Sequence, residues 1–577
     1  MVKTNRTIGL IILLAVMNGG CSDDPIRPNE KTAEPAVRFE ASDLQAVPDV
    51  RAVEMDRPDA PLAWHTSAEA LETAIQAVDG FAIVAFKEPE SERVLDTGVR
   101  AAVSGATIEL GLEMLDAQGI TILYYFAFIG AAHVRLPRGT AAALRESPLV
   151  DYIAPRQTRT IQGHRATLSV RPLLSATFLT QTVPWGIEMV RAPEAWSVNT
   201  GAGAEIEIID TGHDQGHEDL PYVESDHCAG AYGGCDDGPI WHGTHVLGIF
   251  TARDNTIGVV GVAPGVQAAD VHVYGACDSS TSSEGCPSDE VVKGIEAGIF
   301  FDVINMSLGG TSYNTAEANA VAQAWQEGVV LVAAAGNRWS DENPPSNYYP
   351  AEYTNVVGVS GVRPDSTFAH SSPCPHPSEP GVTGASNYGD YVDLAAAFWA
   401  LSTVGNDGYE GEDQGWCGTS MATPHVAGAA ALLSAEYPEW GNEDIVNALL
   451  ATASDQGVGG RDNYYGHGIA DAARAIGVSD PPPPPAPTVS ISGPAEIQPD
   501  ATCTWDAYVT GGEPPYSYSW TNDGIGVSTG SSYTGGKDEG SLLDHFELEL
   551  TVTDSNGAWE KDYLTVYEDE SAWVCII

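Results

Sequence analysis

The chain has 577 residues, 43% of them hydrophobic, with 61 glycines, and a length prior suggests about three folded units plus connectors. Its 26 Lys+Arg against 79 Asp+Glu give a formal net charge of −53, which argues against nucleic acid and anionic membrane surfaces as partners. A solvated acidic exterior keeps such a chain soluble and leaves room for cationic substrates or calcium.

Residues 1–20 read as an export signal. Lys3 and Arg6 form a basic head, Ile8 to Val16 an apolar run, and Gly19-Gly20-Cys21 a small-residue cleavage site. The apolar run is too short to span a bilayer. A cysteine directly after two glycines resembles a bacterial lipoprotein box, which would put a lipid anchor on Cys21 and the protein outside the cell or on its surface. Setting Cys21 aside leaves eight of the nine cysteines, an even number suited to disulfides in an oxidising compartment. Short separations suggest Cys228 with Cys235 and Cys277 with Cys286. Cys503 and Cys575 bracket the last domain, which leaves Cys374 with Cys417; spacing alone does not fix this connectivity.

Residues 21–64 are polar and rich in Pro, Asp and Glu, the composition of a disordered tether. Residues 65–160 read as a small α+β domain. Its strands are expected at Ala82–Phe86, Ile120–Phe128 and Val150–Ala154, and its helices at Gly105–Ala117 and Ala141–Glu146. It carries no catalytic constellation. Residues 161–180 connect it to a long segment, 181–478, that alternates apolar strand-like runs with helices. AEIEIID (204–210), VQAADVHVY (266–274), FDVINMS (301–307) and VVLVAAAG (329–336) are the strands, VVKGIEAGIF and AEANAVAQAWQEG the helices. That alternation predicts an α/β fold with a parallel sheet covered by helices on both faces and active residues at the strands' carboxyl ends. A proline-rich linker, 479–487, leads to 488–577, where alternating strands, Gly-Gly and Asn-Gly turns and Trp520 suggest a β-sandwich.

Three motifs carry the chemistry. Ile208-Ile209-Asp210-Thr211-Gly212 is an apolar strand ending in a carboxylate. His242-Gly243-Thr244-His245 follows, and Gly418-Thr419-Ser420-Met421-Ala422-Thr423-Pro424-His425 opens the apolar helix VAGAAALL. A serine hydroxyl is a poor nucleophile at neutral pH and needs an adjacent base, itself oriented by a third group. Ser420, His242 and Asp210 supply those roles. A helix start at Ser420 would favour a developing oxyanion, and Pro424 is tolerable in a first helical turn.

Asp, then His, then Ser, with these flanking residues, resembles the subtilisin-like serine peptidases. The resemblance implies a serine endopeptidase acting on protein or peptide substrates as a monomer. It also implies that 65–160, with its closing ALRESPLVDYIAPRQT, is an inhibitory propeptide and that 161–180 is cleaved. Ala333 to Asn337 resembles the family's oxyanion-hole segment, with Asn337 acting beside the Ser420 backbone N–H. Ser307-Leu308-Gly309-Gly310 looks like the strand that pairs with substrate, and the loop from Gly275 to Ser288 like the opposite rim. His245 and His425 are read as packing residues. The family's glycine before a Tyr-Pro pair is replaced by Tyr348, which would shorten the S1 pocket unless the ring swings into solvent; Arg338 would favour acidic P1 residues. The resemblance further implies a Ca²⁺ site from the side chains of Gln181, Asp219 and Asn255 and the carbonyls of Arg253, Ile257 and Val259. The last domain is similar to PKD or bacterial immunoglobulin-like modules. Two rivals stand beside this reading: an aspartic protease, which needs a second DTG-like carboxylate, and a catalytically idle adhesion scaffold, which has no need of Asp210, His242, Ser420 and Asn337 together.

Overall fold

The structure is a computed structural model that describes residues 67–87, 105–161, 164–165 and, apart from short internal stretches, 180–569. The signal, the tether, most of the connector and most of the proline-rich linker lie outside the described residues. The chain divides into two compact units, Met1–Ser479 and Asp480–Ile577.

The first unit holds two sheets that matter for the site. Its N-terminal layer is a four-stranded antiparallel sheet in the order Thr121–Phe126, Ala131–Arg135, Phe81–Phe86, Val150–Pro155. The helix Gly105–Ala117 falls where its apolar spacing predicts, and Val150–Pro155 is an edge strand as expected. The helix Ala68–Ala77, capped by the Ser67 hydroxyl, and the strand Ala131–Arg135 are additions. Leu71, Ile75, Val84, Leu115 and Val134 close a small core between helices and sheet.

The main sheet has seven parallel strands in the order Leu394–Ala397, Val356–Val362, Val330–Ala334, Val303–Met306, Ile206–Asp210, Val271–Gly275, Cys228–Ala229. Each inner strand is buried along its length because helices cover both faces, so its sequence is a continuous apolar run rather than an alternation. Buried polar side chains interrupt these runs at Glu207, Asp210, His272, Asn305 and Ser360. Glu207 lies inside the Ile206–Asp210 strand, fully buried, with its carboxylate 2.8 Å from His272 Nδ1 on the next strand; burial raises its pKa, partly offset by that imidazole.

The second unit pairs a three-stranded sheet with a five-stranded one around Trp505, Trp520, Phe546 and Leu550. Trp505 meets Phe546 edge-on at 5.8 Å between ring centroids, the packing expected of a β-sandwich core. Of the disulfides, Cys277–Cys286 is described in full. Cys228, Cys417 and Cys503 are also disulfide-bonded, and their partners' side chains fall outside the described ones.

Candidate active site

Asp210 ends the strand Ile206–Asp210 and is fully buried. Its Oδ1 accepts the Thr211 N–H at 2.7 Å and lies 2.7 Å from His242 Nδ1. His242 is the first residue of the helix His242–Thr251. That helix closes on the strand end because Gly243 has no side chain: a Cβ there would come 1.9 Å from the Gly212 carbonyl. The Gly243 N–H donates to the Thr211 hydroxyl at 3.0 Å, tying the two motifs together.

Ser420 is the second residue of the helix Thr419–Glu436. Pro424 lies in the second turn of this helix, one turn later than the sequence suggests. Having no N–H, it leaves the Ser420 carbonyl four residues earlier without its helical donor. The Ser307 hydroxyl supplies one at 2.9 Å, and the Ser420 hydroxyl in turn donates to the Ser307 carbonyl at 2.8 Å. Asn337, beyond the carboxyl end of Val330–Ala334, accepts on Oδ1 from the Thr419 N–H at 2.8 Å and the Thr419 hydroxyl at 3.0 Å. With its oxygen held on Thr419, the amide presents its NH₂ as the donor. The structure therefore gathers Asp210, His242, Ser420 and Asn337 at the carboxyl edge of one sheet.

Beside them run two short edge strands, Leu308–Gly309 and Gly285–Pro287. Between them lies Thr158–Ile161, antiparallel to both, with Ile161 opposite Leu308, Thr160 opposite Gly309 and Arg159 opposite Cys286. His164–Arg165 then pairs antiparallel with Trp416–Cys417, just ahead of Thr419. Residues 158–161, the end of the segment 65–160 and the first residue of the connector, thus form the central strand of a three-stranded sheet.

A family model described as the subtilase family matches residues 201–468. Subtilisin J of Geobacillus stearothermophilus is 30% identical over 408 residues, covering 69% of this chain and 94% of its own. Alkaline elastase YaB of a Bacillus strain is 32% identical over 397 residues, 68% of this chain and 90% of its own. Subtilisin DY of Bacillus licheniformis is 37% identical over 298 residues, 51% and 99%. The chain belongs to the subtilase family. It is a serine endopeptidase that acts on proteins or peptides.

In this subtilase the two neighbouring histidines are buried and neutral. His245 stacks on Trp416 at 4.5 Å, and burial pushes its pKa down to about 3. Burial lowers His425 to about 4, with its Nδ1 2.8 Å from the Met421 carbonyl. Tyr348 is turned inward, 1% exposed, and burial pushes its phenol up to about 12. Its ring fills the space between Gly309 and Gly336, where a Cβ on either would come within 2.8 Å of it. Gly310 and Tyr349, the residue after Tyr348, exchange two backbone hydrogen bonds of 2.8 Å. Arg338 is exposed, and its N–H donates to Asn337's neighbour in space, the Asn387 side-chain oxygen, at 2.8 Å.

The six residues expected to hold calcium also come together. The Gln181 side-chain NH₂ donates to the Arg253 carbonyl at 2.6 Å and the Val259 carbonyl at 3.1 Å. The Asp219 carboxylate accepts from the Asn255 amide at 2.7 Å and the Val259 N–H at 2.9 Å, and the Ile257 N–H reaches the Asn255 oxygen at 2.7 Å. Asp219 is fully buried, and burial raises its pKa despite these donors. Among the described residues no group of three or more His, Cys, Asp or Glu that could hold a metal ion is present.

Sequence reasoning missed Glu317 and Tyr353, which surround Arg159. Neither belongs to a recognisable motif; the one available signal was an acidic residue in the first turn of AEANAVAQAWQEG, which any helix can carry.

Proposed function

We propose that this chain is an exported endopeptidase made as a latent precursor, with residues 65–160 its intramolecular inhibitor and Asp210, His242 and Ser420 its triad. The observation that carries this reading is the Thr158–Ile161 strand seated between Gly285–Pro287 and Leu308–Gly309. Antiparallel main-chain pairing binds an extended peptide of almost any sequence. From there the chain proceeds to Trp416–Cys417, so it crosses from the edge beside Ser307 to the edge beside Thr419. Ser420 stands between those edges, and the bond to be cut falls between Ile161 and His164.

The chemistry follows from the positions. His242 Nε2 takes the hydroxyl proton as Ser420 Oγ attacks the carbonyl carbon, while Asp210 holds the other ring nitrogen and stabilises the imidazolium. The resulting oxyanion receives the Asn337 NH₂ and the Ser420 N–H at the helix start. Collapse expels the amine, which takes its proton from His242, and leaves an ester on Ser420. Water, deprotonated by the same imidazole, then releases the acid. Tyr348 between Gly309 and Gly336 supports a shallow S1 pocket, and the exposed Arg338, next to Asn337 in the chain, supports an acidic P1 preference; a P1-varied peptide set that favoured large aromatics would overturn both.

The Gln181, Asp219, Arg253, Asn255, Ile257 and Val259 set fits Ca²⁺. It offers about six oxygens, and the buried Asp219 has only neutral donors and the His217 imidazole around it. Bound there, the ion would neutralise Asp219 and cross-link three chain segments. Four described disulfide-bonded cysteines besides Cys277 support an oxidising compartment outside the cytoplasm, in keeping with the export signal and a lipid on Cys21. Among the described residues no helix is long and apolar enough to cross a membrane.

The test is covalent labelling by a fluorophosphonate. Processed wild-type protein should label once, and Ser420→Ala should neither label nor shorten. A processed protein that fails to label would make the scaffold idle.

A further inference from the structure

Arg159 is the most completely enclosed cation among the described residues, and it belongs to the segment that lies in the substrate groove. Its backbone pairs with Cys286, and its side chain turns down into the enzyme, 0% exposed. Nε donates to both Glu317 oxygens at 3.1 Å, and Nη2 to Glu317 Oε2 at 2.5 Å. Nη1 donates to the Ser312 carbonyl at 2.6 Å, and Nη2 also reaches the Tyr353 hydroxyl at 3.1 Å. This is a fork-to-fork ion pair with further hydrogen bonds on two sides.

The receptor is built independently of its occupant. Glu317 sits in the first turn of the helix Thr315–Gln326, whose N-cap, Asn314, accepts from the Ala316 and Glu317 N–H groups. Tyr353 donates to Glu317 at 2.9 Å and is itself braced by Tyr313 and Tyr349, at ring centroid distances of 5.4 and 4.8 Å. Burial, then the Glu317 charge, raises the Tyr353 phenol well above its usual range, so it stays a donor. Gly310 leaves the space for the arginine stem: a Cβ there would come 3.3 Å from Arg159 Nη1.

We propose that Glu317, Tyr353 and the Ser312 carbonyl form a subsite that selects arginine in protein substrates, at the position two residues before the one paired with Leu308. The inference rests on reading Thr158–Ile161 as a substrate mimic. Once that strand leaves, Glu317 keeps the Tyr353 hydroxyl but loses the guanidinium. A desolvated carboxylate in that state favours whichever incoming peptide restores a cation. Lysine brings the charge but cannot engage Glu317, Tyr353 and Ser312 together, because it lacks the planar fork. An apolar residue leaves the carboxylate unpaired and is rejected.

The test uses the processed full-length enzyme and an internally quenched peptide of the chain's own residues 156–165, with arginine, lysine or leucine at the position of Arg159. kcat/KM should be about 10²-fold higher for arginine than for leucine, with lysine between them. In Glu317→Gln the arginine-to-leucine ratio should fall to within about threefold of one. That ratio is read within one preparation, so a partly misfolded variant does not alter it. Arginine and leucine peptides cut within about threefold of each other by the wild type, or a preference that survives in Glu317→Gln, would overturn the proposal. If none of the peptides is cut between the residues corresponding to Ile161 and His164 while casein is digested, the failure lies in the substrate-mimic reading, and the subsite falls with it.

Discussion

His425 gives a sharp prediction because its surroundings are simple. It lies on the helix Thr419–Glu436, fully buried, with its ring against Gly186, where a Cβ would come 2.5 Å from Nε2. Nδ1 is 2.8 Å from the Met421 carbonyl, which fixes the neutral tautomer with its proton there. Burial, partly offset by that bond, holds its pKa at about 4 against 6.5 for a free imidazole. A depressed pKa means that the folded state refuses a proton the unfolded chain accepts. The associated stability is therefore complete above pH 6.5 and drains away as pH falls toward 4. At about 1.36 kcal/mol per pH unit the limit is about 3.4 kcal/mol, and about 2 kcal/mol is gone by pH 5. The assay is urea unfolding at pH 8 and pH 5 of the Ser420→Ala protein, which cannot digest itself, with and without His425→Gln. Between the two pH values the parent should lose about 2 kcal/mol more than the His425→Gln variant. Parallel losses, equal to within about 0.5 kcal/mol, would show that the ring does not resist protonation and refute the reasoning.

Asn337→Leu should lower kcat about 10²–10³-fold, the loss known for the matching donor in subtilisin. It should also cost about 1–3 kcal/mol in stability by stranding the Thr419 N–H; a raised KM with normal kcat in steady-state kinetics would contradict the assignment. Chelation by EGTA should lower the melting temperature of wild type by several degrees, about 1–2 kcal/mol, and leave Asp219→Ala unmoved; equal responses in calorimetry would remove calcium from that site. Gly243→Ala must push the His242 helix away from Gly212, and its fluorophosphonate labelling rate should fall about 10²-fold; a wild-type rate would mean the contact at Gly212 is dispensable.

The proposed triad was readable because each member sits in a short contiguous motif, and the seven-stranded sheet because buried parallel strands leave largely apolar runs. What sequence hid is tertiary. TRTI, residues 158–161, has no strand pattern of its own; it becomes a strand because two edges on either side offer it hydrogen bonds. Tyr348 could as well have faced solvent on local grounds, and only the two glycines at 309 and 336 make room for it inside. Glu207 looks like a fault in an apolar strand until His272 is placed beside it by a crossover of more than sixty residues. Glu317 and Arg159 are 158 positions apart, a distance over which single-sequence pattern carries no information. Pro424 reads as permissible in the sequence, but not as the reason the Ser420 carbonyl takes its donor from Ser307.

That carbonyl has a mechanical consequence. The Ser420 and Ser307 hydroxyls each donate a hydrogen bond to the other's backbone oxygen, and Ser307 is joined covalently to Leu308, the first residue of the strand proposed to receive substrate. The proposed substrate strand and the proposed nucleophile thus form a single linkage, anchored on one side in a sheet and on the other in a long helix. If Leu308–Gly309 receives substrate, a peptide seated there bears on Leu308 and, through Ser307, on the position of the Ser420 hydroxyl, so fit along the groove and reactivity at its centre would be set together.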